Sequence, residues 1–329
     1  MRPEFTAQAR KEIKRICKER VLSNLGRCVG IKFLFSLPFV LLVILMYAAM
    51  FGRVIAMVLS GYQDEYILAM ALASGMNTVW VTVFLMLVIS GPLSFGLMRF
   101  YVRLQRGEEA GVGTLLEPFT SLRSIWVGIK MEFCLAFRSF LWMIGPVAIY
   151  MVLTVAVTVN ASIGGDPNAV NVPMTILYIL FLLAMIPVEL KVMTYQAGWA
   201  ALCDDETRSV WDATRESTTV FKGQLGKLFV FVLSFLGWNV LAVAVTYLCA
   251  ALGVVGLIVV QGGLGIAILV LCIIAALCLL ILFSAFVDTY QMSSFFGMYE
   301  YLRMPPVWPQ DTPPTDTLPG QDGDGGATL

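Results

Sequence analysis

An all-α, polytopic membrane helical bundle is the fold class this sequence predicts: six transmembrane helices and an N-terminal amphipathic interfacial helix. Three observations carry that expectation. Of the 329 residues, 59% are hydrophobic and only 13% are charged, too little polar surface to cover a soluble domain of this length. Mean hydropathy is +0.83, and the apolar residues gather in runs of about 20, the length a bilayer core demands. The basic residues fall almost entirely on one side of the layout that these runs define.

Residues 1–30 form the first element. Phe5, Ala9, Ile13, Ile16, Leu25 and Val29 recur near helical spacing, while Arg10, Lys11, Lys14, Arg15, Lys18 and Arg20 dominate elsewhere. That pattern predicts a basic amphipathic helix, with those six cations as candidate contacts to anionic lipid. So many charges before the first apolar run, with no small-residue cleavage site, do not make a cleavable signal. The membrane domain is expected over 31–304, with spans at 33–52, 78–98, 139–159, 173–190, 228–250 and 264–287. The last two are separated by GVVGLIVVQGGLG at 253–265, where Gly262 and Gly263 favour a tight turn over one continuous helix.

With the N-terminus inside, every Lys and Arg except Arg53 lies in a cytoplasmic segment. This is a strong positive-inside pattern, and it puts both termini in the cytoplasm of a bacterial cell membrane protein. The outer segments are poor in charge, and the NAS at 160–162 is read there as chance. In the inner segment at 204–222, Ser209 with Asp212 three residues on resembles a capping box. A short helix should follow, with Trp211, Thr214, Thr218 and Phe221 along one face. From residue 305 the chain holds six prolines, four aspartates and no basic residue, the composition of a disordered acidic tail.

Several stretches together resemble a bacterial integral-membrane family of uncharacterised role, domain-of-unknown-function family 975. RKEIKRICKERVLSNLGRCVGI resembles its N-terminal helix. GPLSFGLMRFYVRLQRGEEAGVGTLLEPF resembles its second-span exit, through Gly91, Pro92, Gly96, Arg106, Gly107 and Phe119. IPVELKVMTYQ with Asp204–Asp205, RESTTVFKGQLGKLFVFVLSFLGW and the terminal YEYLR resemble later segments. The chain departs from the pattern at Val188, where a glycine is usual. The resemblance implies architecture and brings no activity with it.

The absence of histidine removes imidazole acid–base chemistry, Ser-His and Cys-His pairs and imidazole metal sites. Seven cysteines without a CxxC make neither a disulfide framework nor a zinc site. No Walker loop occurs, and GGLGIA at 262–267 lacks the strand–turn–helix setting of a nucleotide fingerprint. No enzyme, no cofactor, no metal and no nucleic-acid partner are therefore expected.

Attention falls instead on charges at the inner ends of spans. Arg99, Glu132, Arg138, Glu189, Lys191 and Asp288 are the candidate inner-leaflet charge network, because ionisable groups at bilayer depth are costly. Glu189 and Lys191 diverge by about 200° on a helix and cannot pair with each other. Glu189 is expected to face another helix with Arg99 or Arg138 as partner, and Lys191 to reach headgroups. Glu132, lying opposite Arg123, Lys130 and Arg138, is expected to pair with a neighbouring helix. The leading functional expectation is a non-enzymatic scaffold or regulator at the inner leaflet. It would hold anionic lipid and offer its loops or tail to a protein partner. A small-solute or lipid transporter using the charge belt is the alternative.

Overall fold

The computed structural model describes residues 5–59, 65–164, 171–260 and 263–303. The acidic Pro/Gly-rich segment lies outside the described residues. All described secondary structure is helical. In chain order the helices are α1 (Ala7–Ser23), α2 (Leu25–Leu59), α3 (Glu65–Arg106), α4 (Val112–Leu116), α5 (Leu122–Gly164), α6 (Asn171–Gln196), α7 (Gly198–Asp204), α8 (Val210–Val220), α9 (Leu225–Leu233), α10 (Leu236–Val259) and α11 (Gly263–Arg303). A 3₁₀ turn, Glu117–Thr120, leads into α5.

Six segments among the described residues are helical, long and apolar enough to cross a membrane: Leu25–Ala49, Asn77–Arg106, Leu122–Asn160, Asn171–Asp204, Leu225–Val259 and Ala267–Arg303. They outrun the segments expected from hydropathy. The 43 residues of α5 extend about 65 Å, twice a hydrocarbon core of about 30 Å. The surplus projects as one end of the bundle, and nearly all described charge collects there. Backbone hydrogen bonding inside a helix does not depend on apolar side chains. A helix therefore continues past the apolar run that makes it a span.

Proline does not end these helices. Pro38, Pro92, Pro146 and Pro187 all lie inside continuous helical segments. The turn between the last two spans is shorter than the glycine-rich sequence predicts, since α10 stays helical to Val259 and α11 starts at Gly263. Gly253 and Gly256 serve the helix pair instead. A Cβ at Gly253 would meet Cys272 Cβ at 2.9 Å, and one at Gly256 would meet Ile268 Cγ2 at 2.5 Å, so α10 and α11 approach along a small-residue seam.

Neighbouring helices pack as α2 on α3, α3 on α5, α5 on α6 and α10 on α11. The depth of packing is uneven. In α3, 39% of the most apolar stretch is buried, against 0% in α5. The core lies towards the charged end, where Phe95, Phe100, Trp199, Phe221, Phe231, Phe235, Phe295 and Phe296 are all buried. Phe221 stacks on Phe295 at 5.6 Å, and Phe235 meets Tyr290 edge-on at 4.9 Å. Each such side chain contributes about 1.5–3 kcal/mol through removal from water, so the aqueous end, not the lipid end, has the stronger force for close packing. Within lipid the hydrophobic effect between helices disappears, and the apolar halves spread.

At the middle, α3 and α5 touch backbone to backbone. A Cβ on Gly91 would lie 2.7 Å from the Ile129 backbone, and one on Gly128 would lie 2.7 Å from Gly91 O. Gly91→Ala should therefore wedge the pair apart, at a cost of about 1–3 kcal/mol. Gly145→Ala, with nothing within 4 Å, should leave the melting temperature unchanged or slightly raised. Thermal unfolding in detergent compares the two.

Candidate functional site

At the charged end, α3 presents Arg99, Arg103 and Arg106. Their spacing of four and then three residues places the guanidinium groups along one helical face. Each meets carboxylates from other parts of the chain. Arg103 forks onto Glu117, with Nη1 donating to Oε1 at 2.6 Å and Nη2 to Oε2 at 2.9 Å. Arg99 donates to Glu117 Oε2 at 3.5 Å and pairs with Glu206, whose other oxygen accepts from Ser124 Oγ at 2.6 Å. The Arg99 guanidinium also lies 4.4 Å from the Phe95 ring centre.

A second chain of pairs starts one turn further on. Arg106 donates through Nη2 to Asp204 Oδ1 and through Nε to Glu300 Oε1, both at 2.7 Å. The other Asp204 oxygen accepts from Arg303 Nη1 at 2.5 Å. Arg303 Nε lies 2.9 Å from Glu216 Oε1, and Glu216 also pairs with Arg208. Thus Glu300, Arg106, Asp204, Arg303, Glu216 and Arg208 form one run across α3, α7, α11 and α8. A carboxylate shared by two arginines in a partly buried layer gives strong charge-assisted bonds. Gly107, at φ +78°, ends α3 directly after this stripe. Its conformation suits glycine, and a Cβ there would touch the Arg20 guanidinium at 3.2 Å.

The six residues expected to form one charge network separate into three groups. Arg99 and Asp288 are ion-paired, Asp288 with Lys32 Nζ of α2 at 3.0 Å. Arg138 and Lys191 are held by aromatics. The Arg138 guanidinium lies 4.8 Å from the Tyr195 ring and 4.7 Å from Trp211, and Lys191 Nζ lies 5.5 Å from Tyr195. Glu132 and Glu189 make no ion pair or hydrogen bond among the described residues.

Two expectations are corrected here. Glu189 is exposed and does not meet Arg99 or Arg138. The buried position of that turn is its neighbour Val188, at 5% exposure, and one residue of helix rotates Glu189 about 100° away. Glu132 is half-buried without the basic partner expected of it. It lies one turn on from Gly128 and Ile129, where α5 meets α3, and no cation projects from α3 at that level.

The N-terminal helix spends its apolar face on protein. Ile13, Cys17 and Val21 are buried, and α1 packs against α11 and α3. Of its six cations, Lys14 donates to Ser234 Oγ at 2.9 Å and to Ser234 O at 3.2 Å, beside the Phe235 ring. Burial, then the neighbouring Arg10 charge, lowers the Lys14 pKa. Arg15 pairs with Glu12 and Glu19, and Lys18 lies 5.5 Å from the Trp238 ring. Arg20 sits against Gly107. Arg10 and Lys11 form no ion pair among the described residues.

The helix predicted after Ser209 is α8, and Ser209 is its N-cap residue, but no side-chain capping bond forms. Its buried face is Val210, Ala213, Thr214, Ser217 and Val220. Trp211 is left 55% exposed and lies off that face, because α8 is rotated to seat these small residues against its neighbours. A cleft of about 830 Å³ opens between α5 and residues 206–211, and an apolar one of about 410 Å³ lies between α5 and α6. A third, of about 200 Å³, lies between α1 and α3. None of the three is lined by Glu132, Arg138, Glu189 or Asp288. Among the described residues no cluster of three His, Cys, Asp or Glu side chains could hold a metal ion.

The family model described as "Protein of unknown function (DUF975)" matches residues 1–303. The chain belongs to the DUF975 family. No curated protein and no solved structure matches it. The match ends at Arg303, the last residue of α11, so the whole ion-paired layer falls inside the DUF975 region. Sequence reading missed most of that layer: Arg103, Arg106, Glu117, Asp204, Glu206, Glu216, Glu300 and Arg303. The arginine stripe at 99, 103 and 106 and the Glu300–Arg303 spacing were the signals that could have found it.

Asp204→Asn should lower stability by about 1–2 kcal/mol, between the values for exposed and buried pairs because the partners are about a quarter exposed. A double-mutant cycle with Arg106→Gln should show coupling, and 1 M salt should shrink it. Cys17 supplies a pH test. Burial pushes its thiol up to about 11. A raised pKa stabilises fully below the unfolded value of about 8.5 and is lost as pH rises towards 11. In a variant retaining Cys17 alone, maleimide labelling should stay slow at pH 7.5 and accelerate beyond simple thiolate formation above pH 9.

Proposed function

We propose that this chain is a non-enzymatic scaffold or regulator at the inner leaflet of a bacterial cell membrane, with both termini cytoplasmic. One observation carries the reading. Two of the charges expected at span ends, Arg99 and Asp288, hold helices together through ion pairs, and Arg106 and Asp204 do the same in the layer beside Arg99. None of the three described clefts is lined by Arg99, Asp204 or Asp288. A fixed, ion-paired platform on spread apolar spans suits presentation of a surface better than alternating access. Its outer face includes the exposed basic residues of α1 and the exposed Trp211 of α8, a surface of mixed chemistry for a protein partner.

The sidedness rests on the distribution of Lys and Arg, which leaves only Arg53 outside. Transport keeps one observation in its favour, the carboxylates of Glu132 and Glu189 without a counter-charge among the described residues. Two measurements separate these readings. Cross-linking in intact cells from a photoreactive residue at position 211 should capture a defined protein, and Asp204→Asn should weaken that capture. Proteoliposome flux of solute or lipid that Glu132→Gln abolishes would overturn the scaffold. Cysteine accessibility at an introduced residue near the N-terminus should report the cytoplasmic side.

A further inference from the structure

The cleft between α5 and residues 206–211 has a polarity that changes along its length. Its α5 wall is a single stripe: Arg123, Trp126 and Lys130 come first, then Phe133 and Phe137. The stripe spans about 21 Å at 1.5 Å per residue. Arg123 lies at the end next to the ion-paired layer, and Lys130 lies two turns on, before the phenylalanines begin. Both phenylalanines lie towards the apolar half of α5, at 51% and 54% exposure. The lining is cationic where the bundle is charged and aromatic where it enters the apolar zone.

Neither cation is neutralised. Among the described residues Arg123 and Lys130 form no ion pair, and Lys130 Nζ lies 5.7 Å from the Trp126 ring. Arg123 is a minor cause of the lowered Asp205 pKa, behind the hydrogen bonds from Thr207. The acid that lines the cleft, Glu206, is already engaged by Arg99 and Ser124. Arg208 on the opposite wall adds a cation paired with Glu216. The net field inside therefore favours an anion. The volume of about 830 Å³ lies within the roughly 300–1,000 Å³ of small-molecule sites.

We propose that this cleft binds one anionic membrane phospholipid, with its phosphate between Arg123 and Lys130 and an acyl chain along Phe133 and Phe137. An amphiphile with a single anionic head matches the axial gradient. A soluble phosphate would leave the aromatic half unused, and an uncharged lipid would leave two cations unmatched. Trp126 and Trp211 also line the cleft, and tryptophan is the residue type enriched at membrane headgroups. The assignment replaces α1 as the lipid-contacting element, since the apolar face of α1 is buried on protein. It rests on the inner-leaflet reading only for which leaflet supplies the lipid.

The full chain in nanodiscs tests it. Phosphatidylglycerol retained through native mass spectrometry should exceed phosphatidylcholine, and Arg123→Gln/Lys130→Gln should weaken retention about 30-fold, the contribution of two membrane-facing cations. In phosphatidylcholine nanodiscs, where no anionic lipid is present to stabilise the parent, its melting temperature should not change, because neither residue holds an ion pair. Arg10→Gln/Lys11→Gln should retain lipid as the parent does. Phe137→Ala should weaken retention of a long-chain phosphatidylglycerol more than that of a short-chain one. Equal retention by the Arg123/Lys130 variant overturns the proposal, as does equal binding of phosphatidylcholine. Displacement by glycerol phosphate alone at matching concentration would assign the cleft to a soluble anion and overturn it too. Nanodiscs have no sidedness, so this result is independent of the cellular topology measurement that tests the inner-leaflet reading.

Discussion

The shared carboxylate of Asp204 sets the arrangement of the charged end. One oxygen accepts from Arg106 of α3 and the other from Arg303 at the end of α11. Three long helices can splay in lipid and still arrive at one register where these groups meet. Burial of the aromatic core beneath them lowers the local dielectric and strengthens each pair. The converse also holds: without the pairs, a layer this rich in arginine and carboxylate would oppose close packing of the phenylalanines beside it.

This arrangement separates two jobs that membrane bundles often combine. The apolar halves supply length and lipid-facing surface, with close contact limited to small-residue seams such as Gly91 with Gly128 and Gly253 with Cys272. The charged end supplies rigidity. α1 belongs to that end by its packing: Ile13, Cys17 and Val21 close one side of the core, and Lys14 ties it to the break between α9 and α10. The cleft beside α5 is a by-product of the same geometry. Residues 204–209 are anchored at Asp204 and Glu206 and pass over α5 before α8 begins, so the wall beneath them stays open.

Much of the architecture was legible from residues alone. The apolar runs at 33–52 and 139–159 had no alternative to a span, and the start of α8 at Ser209 followed from its cap position. The rotation of α8 was not legible. Thr214 fits both the expected face and the observed one, and only contact with α6, α7 and α11 selects Val210, Ala213 and Ser217 as the buried set. The same limit applies to Glu189. A helix position one residue from the buried Val188 looks equivalent in hydropathy, yet its orientation depends on which neighbour arrives. Helical spacing sets Glu132 apart from Arg123, Lys130 and Arg138 on α5, but its lack of a counter-charge depends on what α3 carries opposite.

By itself the sequence determined six apolar helices and the family to which the chain belongs, because each follows from local composition or ordered motifs. Tertiary structure alone decided which charges pair. Arg106 lies 98 positions from Asp204 and 194 from Glu300, and no local rule relates residues so far apart. Their meeting depends on helix lengths, crossing points and rotation, all set by packing. That is why the charge belt expected at the span ends resolved into an ion-paired platform, two aromatic-held cations and two carboxylates without a counter-charge.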